Sequence, residues 1–276
     1  MHKRKLIPIL LLTIIAFGAC RKDKGNDGAN SNYNLSYGSP IIYPKNGDHI
    51  ITPVNAPAVK GEFSAFPEGL ELDKETGEID VEDSETGLRY RVTFTPDDGS
   101  AATSTTILLA GINYRDAFHV LASNDSIVRL WYNGDVNNAV PVSPGKTVFD
   151  IDRKCSKEGI AINRNTGEIN LAQTIRNGFF GKHPDNDTRE EFELEYMIDD
   201  GSKQVKQEIK IKLYYHNTLD DVPDDLLQLV KDRDGTVLNE DGAGIPYDPL
   251  TSAAIAGMRA TGKPRPRPPC IFIIGR

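Results

Sequence analysis

Histidine and acidic side chains are the residues of this chain that could do acid–base or metal chemistry. The chain has five histidines: His2, His49, His119, His183 and His216. No two of them have HxH or HExxH spacing, which would place two imidazoles on one zinc ion, so a zinc site is not expected. There is no Gly-x-Ser-x-Gly motif and no phosphate-binding glycine loop. Carboxylates are abundant, but a glycosidase needs a cleft that holds two of them, and we predict that the protein is not an enzyme.

The aromatic pair Trp131 and Tyr132 is our candidate for ligand binding. Trp131 is the only tryptophan, and an Asn-Gly turn follows the pair directly. An exposed Trp beside a Tyr offers ring faces on which the apolar face of a sugar can stack. The alternative is that Trp131 is a core residue of a strand in the second half of the chain. Exposure of the Trp131 ring distinguishes the two.

Two cysteines, Cys155 and Cys270, lie far from each other and from Cys20. Three cysteines are too few for a disulfide scaffold. In an oxidising compartment Cys155 and Cys270 can pair and fasten the C-terminal segment onto the second half of the chain. The alternative is one buried residue and one free thiol, and the sequence leaves this open because pairing depends on geometry.

The chain has 276 residues, of which 26% are charged, and a formal net charge of −8. This length is sufficient for one large domain or two small ones, each with its own core. The acidic balance argues against a nucleic-acid partner, because neutralising phosphates needs a basic face.

The first 20 residues have the pattern of a processed export signal. Basic residues 2–5 precede an apolar run over 6–17, which is too short to span a membrane. Phe17-Gly18-Ala19 before Cys20 resembles the lipobox of bacterial lipoproteins. This resemblance implies cleavage after residue 19, lipidation of Cys20 and stable anchoring by several acyl chains. An ordinary secretory signal with a chance cysteine is the alternative.

Residues 20–38 are rich in Gly, Asn and Ser, and we interpret them as a flexible tether. Arg21, not Asp, follows Cys20, so the common inner-membrane retention signal is absent. Lys22-Asp23 is a partial match to the surface-export signal of Bacteroidota lipoproteins. Without residues 1–19 the chain has 29 Lys and Arg against 40 Asp and Glu, a formal net charge of −11. Such an acidic surface does not attract an anionic membrane, so the lipid is the expected membrane contact.

An internal repeat organises the middle of the chain. Residues 69–81 (GLELDKETGEIDV) match residues 159–171 (GIAINRNTGEINL) at an offset of 90. RYRVTFTPDDGS, ending at Ser100, matches EFELEYMIDDGS, ending at Ser202, at an offset of 102. The second copy therefore has about 12 extra residues within 172–189. We interpret that segment as a loop because Gly, Asn-Gly and Pro interrupt it.

Each copy has the hydrophobic period of β-structure. Apolar residues alternate with polar ones over 88–95 and 192–198, and further strands are predicted at 104–109 and 207–215. Strands at this spacing, separated by Gly-rich turns, favour an all-β sandwich. The repeat resembles the cadherin-like and immunoglobulin-like (putative Ig) repeats of bacterial surface proteins. The resemblance covers roughly residues 39–217 and implies two tandem β-sandwich domains.

The cadherin-like resemblance implies a test for calcium. Cadherins bind Ca²⁺ between domains through a Glu, an Asp before a DGS-like turn and an acidic linker. Glu85 and Asp97 in the first copy, and Glu190 and Asp199 in the second, stand at matching positions, whereas the linkers do not match. Calcium needs six to eight oxygen ligands, so these residues provide only about half of a calcium site. Structural calcium and plain turn residues are the two interpretations.

Residues 218–276 differ in chemistry from the repeats. Acids around Pro223, apolar residues at helical spacing and Gly235 predict a helix of about nine residues. A Pro- and Arg-rich stretch follows, and then CIFIIGR, an apolar strand that must be covered to avoid aggregation. We expect it to join a sheet of its own chain; the alternative is strand addition to a partner.

Together these features predict an all-β protein: a signal peptide at 1–19, a tether at 20–38, sandwiches at 39–113 and 114–217, and a short, partly helical C-terminal segment at 218–276. We expect a lipid-anchored, non-catalytic binding or adhesion protein at the outer-membrane surface, with a glycan as candidate ligand. The alternative is a structural spacer or assembly component that binds a protein partner. No cofactor is expected apart from the calcium left open above.

Overall fold

The computed structural model describes residues 33–135, 137–233, 235–244 and 268–276. The predicted signal peptide, Cys20, most of the tether and the Pro- and Arg-rich stretch lie outside these ranges. The described chain is mostly β-sheet with few helices. Within it, no helix is long and apolar enough to cross a bilayer.

The first half of the chain forms two sheets. Its strands are β1 (Ile41–Ile42), β2 (Ile50–Ile51), β3 (Gly61–Phe66), β4 (Glu71–Leu72), β5 (Ile79–Asp80), β6 (Leu88–Pro96) and β7 (Thr103–Leu109). One sheet has the order β1-β7-β6-β3 and the other β2-β5-β4. Side chains from both sheets share one core, here called the first core. The predicted alternation in β6 is confirmed, because Leu88, Tyr90, Val92 and Phe94 are all buried.

The second half contains the remaining elements. They are β8 (Ile112–Tyr114), β9 (Ala117–Val120), β10 (Ile127–Val128), β11 (Leu130–Tyr132), β12 (Val148–Phe149), α1 (Lys154–Glu158), β13 (Ile169–Asn170), α2 (Leu171–Arg176), β14 (Thr188–Met197), β15 (Gln207–His216), α3 (Asp224–Arg233) and β16 (Cys270–Ile274), with 3-10 turns at Leu121–Ser123, Ile151–Arg153 and Leu219–Asp221. The main sheet has the order β12-β14-β15-β16-β9, and β8–β11 and β10–β13 form two small sheets.

The repeat recurs in the structure as the hairpins β6–β7 and β14–β15. In each copy a side-chain oxygen orders the Thr-Gly turn: Asp73 Oδ1 accepts from Thr76 N at 2.7 Å, and Asn163 Oδ1 from Thr166 N at 3.3 Å. Gly77 follows with φ +74°, and a Cβ there would collide with the Phe63 ring. The turn needs glycine both for the backbone conformation and for the space.

The segment predicted as a loop at 172–189 is partly helical. It contains most of α2, whose cap residue Asn170 accepts from Gln173 N at 2.9 Å. A single capping side chain, which a loop interpretation overlooks, starts this helix.

Two cores cover the main sheet. Phe192, Leu194, Ile211 and Ile271 belong to the second core, on the face that packs against the small sheets and α2. On the opposite face, α3 packs through Leu226, Leu229 and Val230 onto Phe118, Tyr214 and Phe272, which form the third core. The predicted helix after Pro223 is confirmed as α3.

The predicted strand at 270–274 is confirmed, and it joins a sheet of its own chain. β16 lies between β15 and β9 and is parallel to both. All five of its residues are at most 2% exposed. This part of the C-terminal segment is therefore an interior strand of the second half, not a separate appendage.

His216, at the end of β15, makes folding stability dependent on pH. Its ring is fully buried, and neither ring nitrogen has a hydrogen-bond partner within the described chain. Burial lowers the pKa of His216 and Arg189 adds to this, whereas the carboxylates of Asp187 and Asp221 oppose it. The folded chain therefore binds fewer protons than the unfolded chain below the usual histidine pKa of about 6.5.

We expect the free energy of unfolding to fall as the pH is lowered from 7.5 to 5.5, because protonation favours the unfolded chain. Urea denaturation at several pH values measures this. His216→Gln should reduce the dependence, although buried His49, whose pKa is also lowered, contributes in the same direction. The control His183→Gln, at an exposed site, should leave it unchanged. If the free energy of unfolding depended on pH equally in His216→Gln and in the parent chain, His216 would not be a source of the pH dependence.

Candidate functional site

The aromatic pair on β11 is buried, which agrees with the core interpretation of Trp131 and contradicts an exposed platform. Trp131 is 3% exposed and Tyr132 is 8% exposed. β11 pairs with β8, and its side chains alternate: Leu130 and Tyr132 enter the second core and Trp131 enters the first. The Tyr132 hydroxyl donates to Asp200 Oδ2 at 2.9 Å. The pair joins the two halves and offers no ring face to a sugar.

The four carboxylates proposed for calcium do not converge. Glu85 and Asp97 lie beyond opposite ends of the nine-residue strand β6, which spans about 30 Å. Glu190 lies within β14, and Asp199 lies beyond the end of that strand. Calcium ligands must lie within about 2.6 Å of the ion, so these residues do not form one site. Asp98 and Asp200 act as turn residues, each accepting from the backbone N–H two residues on, at 2.9 Å and 2.8 Å.

The two described cysteines are buried and free. Cys155 belongs to the second core and Cys270 to the third, so the main sheet separates them. The Cys155 thiol donates to the Glu193 carbonyl at 3.2 Å, and burial raises its pKa to about 12. Neither the disulfide nor an exposed thiol is present in this arrangement.

A groove between the two halves brings polar residues together. It consists of an inner cavity of about 390 Å³ and an open cleft of about 850 Å³. Glu82, Ser84, Thr86 and Glu208 line both, so the two spaces adjoin. Residues 44–49 and 81–86 supply one wall of the inner cavity, and residues 205–208 supply the other.

His49 and Gln207, from different halves of the chain, both line the inner cavity. Each is 8% exposed. His49 precedes β2, and its carbonyl accepts from Val81 N at 3.0 Å, which fixes its backbone. Burial and the nearby Lys45 charge lower the pKa of His49, although Asp80 opposes this, so the ring is neutral at pH 7. Its Nδ1 has no hydrogen-bond partner within the described chain.

Gln207 begins β15 and stands opposite Tyr196 on β14. Its Oε1 accepts from the Tyr196 hydroxyl at 3.0 Å, which leaves Nε2 as a donor. That Nε2 is buried and has no partner within the described chain. Both nitrogens are buried, and the residues that carry them line one cavity.

Three carboxylates form a cluster beside the groove, where Glu208 lines both spaces and Glu193 lines the open cleft. Oxygens of Glu193, Glu195 and Glu208 are all within 4.8 Å of one another. Burial and then the charge of Glu193 raise the pKa of Glu208. Lys154 lies 3.6 Å from Glu193, and Lys206 lies 3.2 Å from Glu195. Because lysines already pair with two of the three, the cluster by itself defines no metal site.

The open cleft is acidic, since seven carboxylate side chains and two lysines line it. Its field favours neutral or cationic ligands over anionic ones. The sequence carries one signal for this site, which no motif marks. Gln207 continues the inward-facing series of Ile209, Ile211 and Leu213, and a polar residue at such a position needs a partner.

Comparison with protein-family models found no match, and comparison with curated proteins found none either. Among solved structures, a tri-modular GH5 (subfamily 4) endo-β-1,4-glucanase from Bacillus licheniformis is similar over 63% of this chain, with 12% sequence identity and a TM-score of 0.19. The same enzyme complexed with cellotetraose gives the same identity and TM-score. The match spans 37% of the glucanase chain. At this TM-score the likeness carries no argument about fold or activity.

Proposed function

We propose that this protein is a lipid-anchored, non-catalytic binding protein of the outer-membrane surface. The export signal, the small residues before Cys20 and the polar tether support the anchor and the location. Two tandem immunoglobulin-like or cadherin-like sandwiches form its body. The repeated hairpins and the core shared by two sheets in the first half support this architecture.

The ligand we propose is a neutral polyhydroxylated molecule, of which a glycan is the natural class. The single observation that carries this is the polar groove between the two halves, whose inner cavity is lined by His49, Ser84 and Gln207. A sugar hydroxyl both donates and accepts, so adjacent hydroxyls can satisfy a neutral imidazole and an amide N–H together. The cavity has the size of a small-molecule site, and the acidic cleft disfavours anions.

Binding of the chain from Arg21 to Arg276 to a glycan array tests this function. We expect at least one class of neutral glycan to bind. His49→Ala and Gln207→Leu should each weaken that binding about tenfold, because one hydrogen bond to a buried group contributes about 1–1.5 kcal/mol.

The matched control for the array is His183→Ala, since His183 is exposed and does not line the groove. It should bind like the parent chain. If no glycan binds, or if both groove variants bind unchanged while remaining folded, the proposal is wrong and the structural or protein-partner alternative gains weight.

A further inference from the structure

β16 occupies a position that the first copy of the repeat leaves without a strand. In the first half, β1 pairs directly and in parallel with β7, with Ile41 opposite Leu108. In the second half, β9 takes the place of β1 and β15 takes the place of β7. There β16 separates the two, with Cys270 opposite Lys212 on β15 and Ile271 opposite Ala117 on β9. The first copy thus closes without an inserted strand, whereas the second copy has a slot for one.

The slot is shaped for this strand in particular. Ile271 and Ile273 enter the second core, whereas Cys270, Phe272 and Ile274 enter the third. The Phe272 ring centroid lies 4.7 Å from that of Phe118 and 5.1 Å from that of Tyr214. The Cys270 N–H donates to the buried Asp116 carboxylate at 2.6 Å. A strand with the same side chains in the same order is the occupant that reproduces these contacts.

The covalent route to the slot is long. Between Gly244 and Pro268 the chain has 23 residues, 245–267. At no more than about 3.6 Å per residue, that length allows a reach of up to about 80 Å. It is ample for the strand to reach the slot of a neighbouring copy.

We propose that β16 is exchanged between copies, so that Cys270–Ile274 of a second copy fills the slot between β9 and β15. Closed and exchanged forms make the same strand contacts. The ratio of exchanged dimer to monomer therefore depends on how the protein concentration compares with the effective concentration of the strand that the connecting chain holds near its own slot. Reciprocal exchange gives a closed two-fold dimer. The inference is independent of the ligand proposed above.

Disulfide trapping in the chain from Arg21 onward, which contains every described residue, tests this. Lys212 is the register partner of Cys270 and is half-buried, so Lys212→Cys places a thiol beside the native one without altering the core. Neighbouring strands lie about 4.8 Å apart, within the range for a disulfide. Two differently tagged preparations are mixed, equilibrated near the unfolding midpoint, returned to native buffer and oxidised.

The expected product includes disulfide-linked dimers that carry both tags. Their ratio to monomer should rise about tenfold for a tenfold rise in concentration while the dimer is the minor species. The same chain with Cys270→Ser should give none. The matched control, Ile41→Cys with Leu108→Cys on the Cys270→Ser background, should give only intrachain bonds, because β1 and β7 pair directly. The proposal would be overturned if the folded Lys212→Cys chain formed only intrachain disulfides, with no mixed-tag dimers, at about 1 mM.

Discussion

A chain that ends at Pro269 is expected to lose the cooperative fold of its second half. The truncation removes β16, whose residues are at most 2% exposed and fill two cores. Burying each large apolar side chain contributes about 1.5–3 kcal/mol, so the four of residues 271–274 together account for about 10 kcal/mol. That equals the whole stability of a typical domain, about 5–15 kcal/mol. The backbone ladders to β15 and β9 are lost as well.

Urea denaturation followed by circular dichroism measures this effect. We expect the truncated chain to lack the transition of the second half, whereas the first core, which contains no β16 residue, gives a residual transition. The control ends at Ile274. It loses only Gly275 and Arg276 and their backbone bonds to residues 216 and 217, and it should unfold within about 1 kcal/mol of the parent. An unchanged denaturation curve in the chain that ends at Pro269 would show that the strand is dispensable.

The strands of the repeat could be predicted because they are local patterns. Alternation over 88–95 and 192–198 gives the strand and its buried face without knowledge of its neighbours. Sheet order is different, since β16 pairs with β9 and β15 across more than 50 residues of sequence. The apolar run at the end of the chain predicts that this strand is buried. It does not predict the strand's central position in the main sheet, because that position depends on long-range packing.

Trp131 shows that alternation of side chains along a strand does not by itself predict which face is exposed. The side chain of Trp131 lies on the opposite face from Leu130 and Tyr132, and both faces of β11 are buried, one against each core. A strand between two cores cannot be distinguished by pattern from a strand with one exposed face when its residues are aromatic. The candidate site is similar, because the alternation in β15 marks Gln207 as inward-facing, whereas His49 belongs to no motif and lines the same cavity only through the packing of the two halves.

Replacing Arg233 by Met is expected to destabilise the chain by about 3–5 kcal/mol. Arg233 Nη1 lies 2.8 Å from Asp116 Oδ1, and the two side chains are 3% and 1% exposed. Asp116 lies between β8 and β9, and its carboxylate also accepts from Cys270 N. The ion pair therefore ties α3 to the start of β9 and of β16. The substitution removes the guanidinium that pairs with the buried Asp116 carboxylate, and breaking a buried ion pair from one side is what makes the change large.

A double substitution separates the net contribution of the pair from the penalty of removing only one of its two charges. Asp116→Leu with Arg233→Met removes both charges, and we expect it to recover more than half of the stability lost in Arg233→Met, as measured by urea denaturation. The control Arg129→Met breaks an ion pair of 3.5 Å with Glu168 whose side chains are 75% and 36% exposed, and it should change stability by less than 1 kcal/mol. If the Arg233 and Arg129 variants were equally stable, burial of the Asp116 pair would have no energetic consequence. A large difference between them would show that the buried pair contributes to stability where the exposed pair does not, because solvent screens the Arg129 pair and not the Arg233 pair.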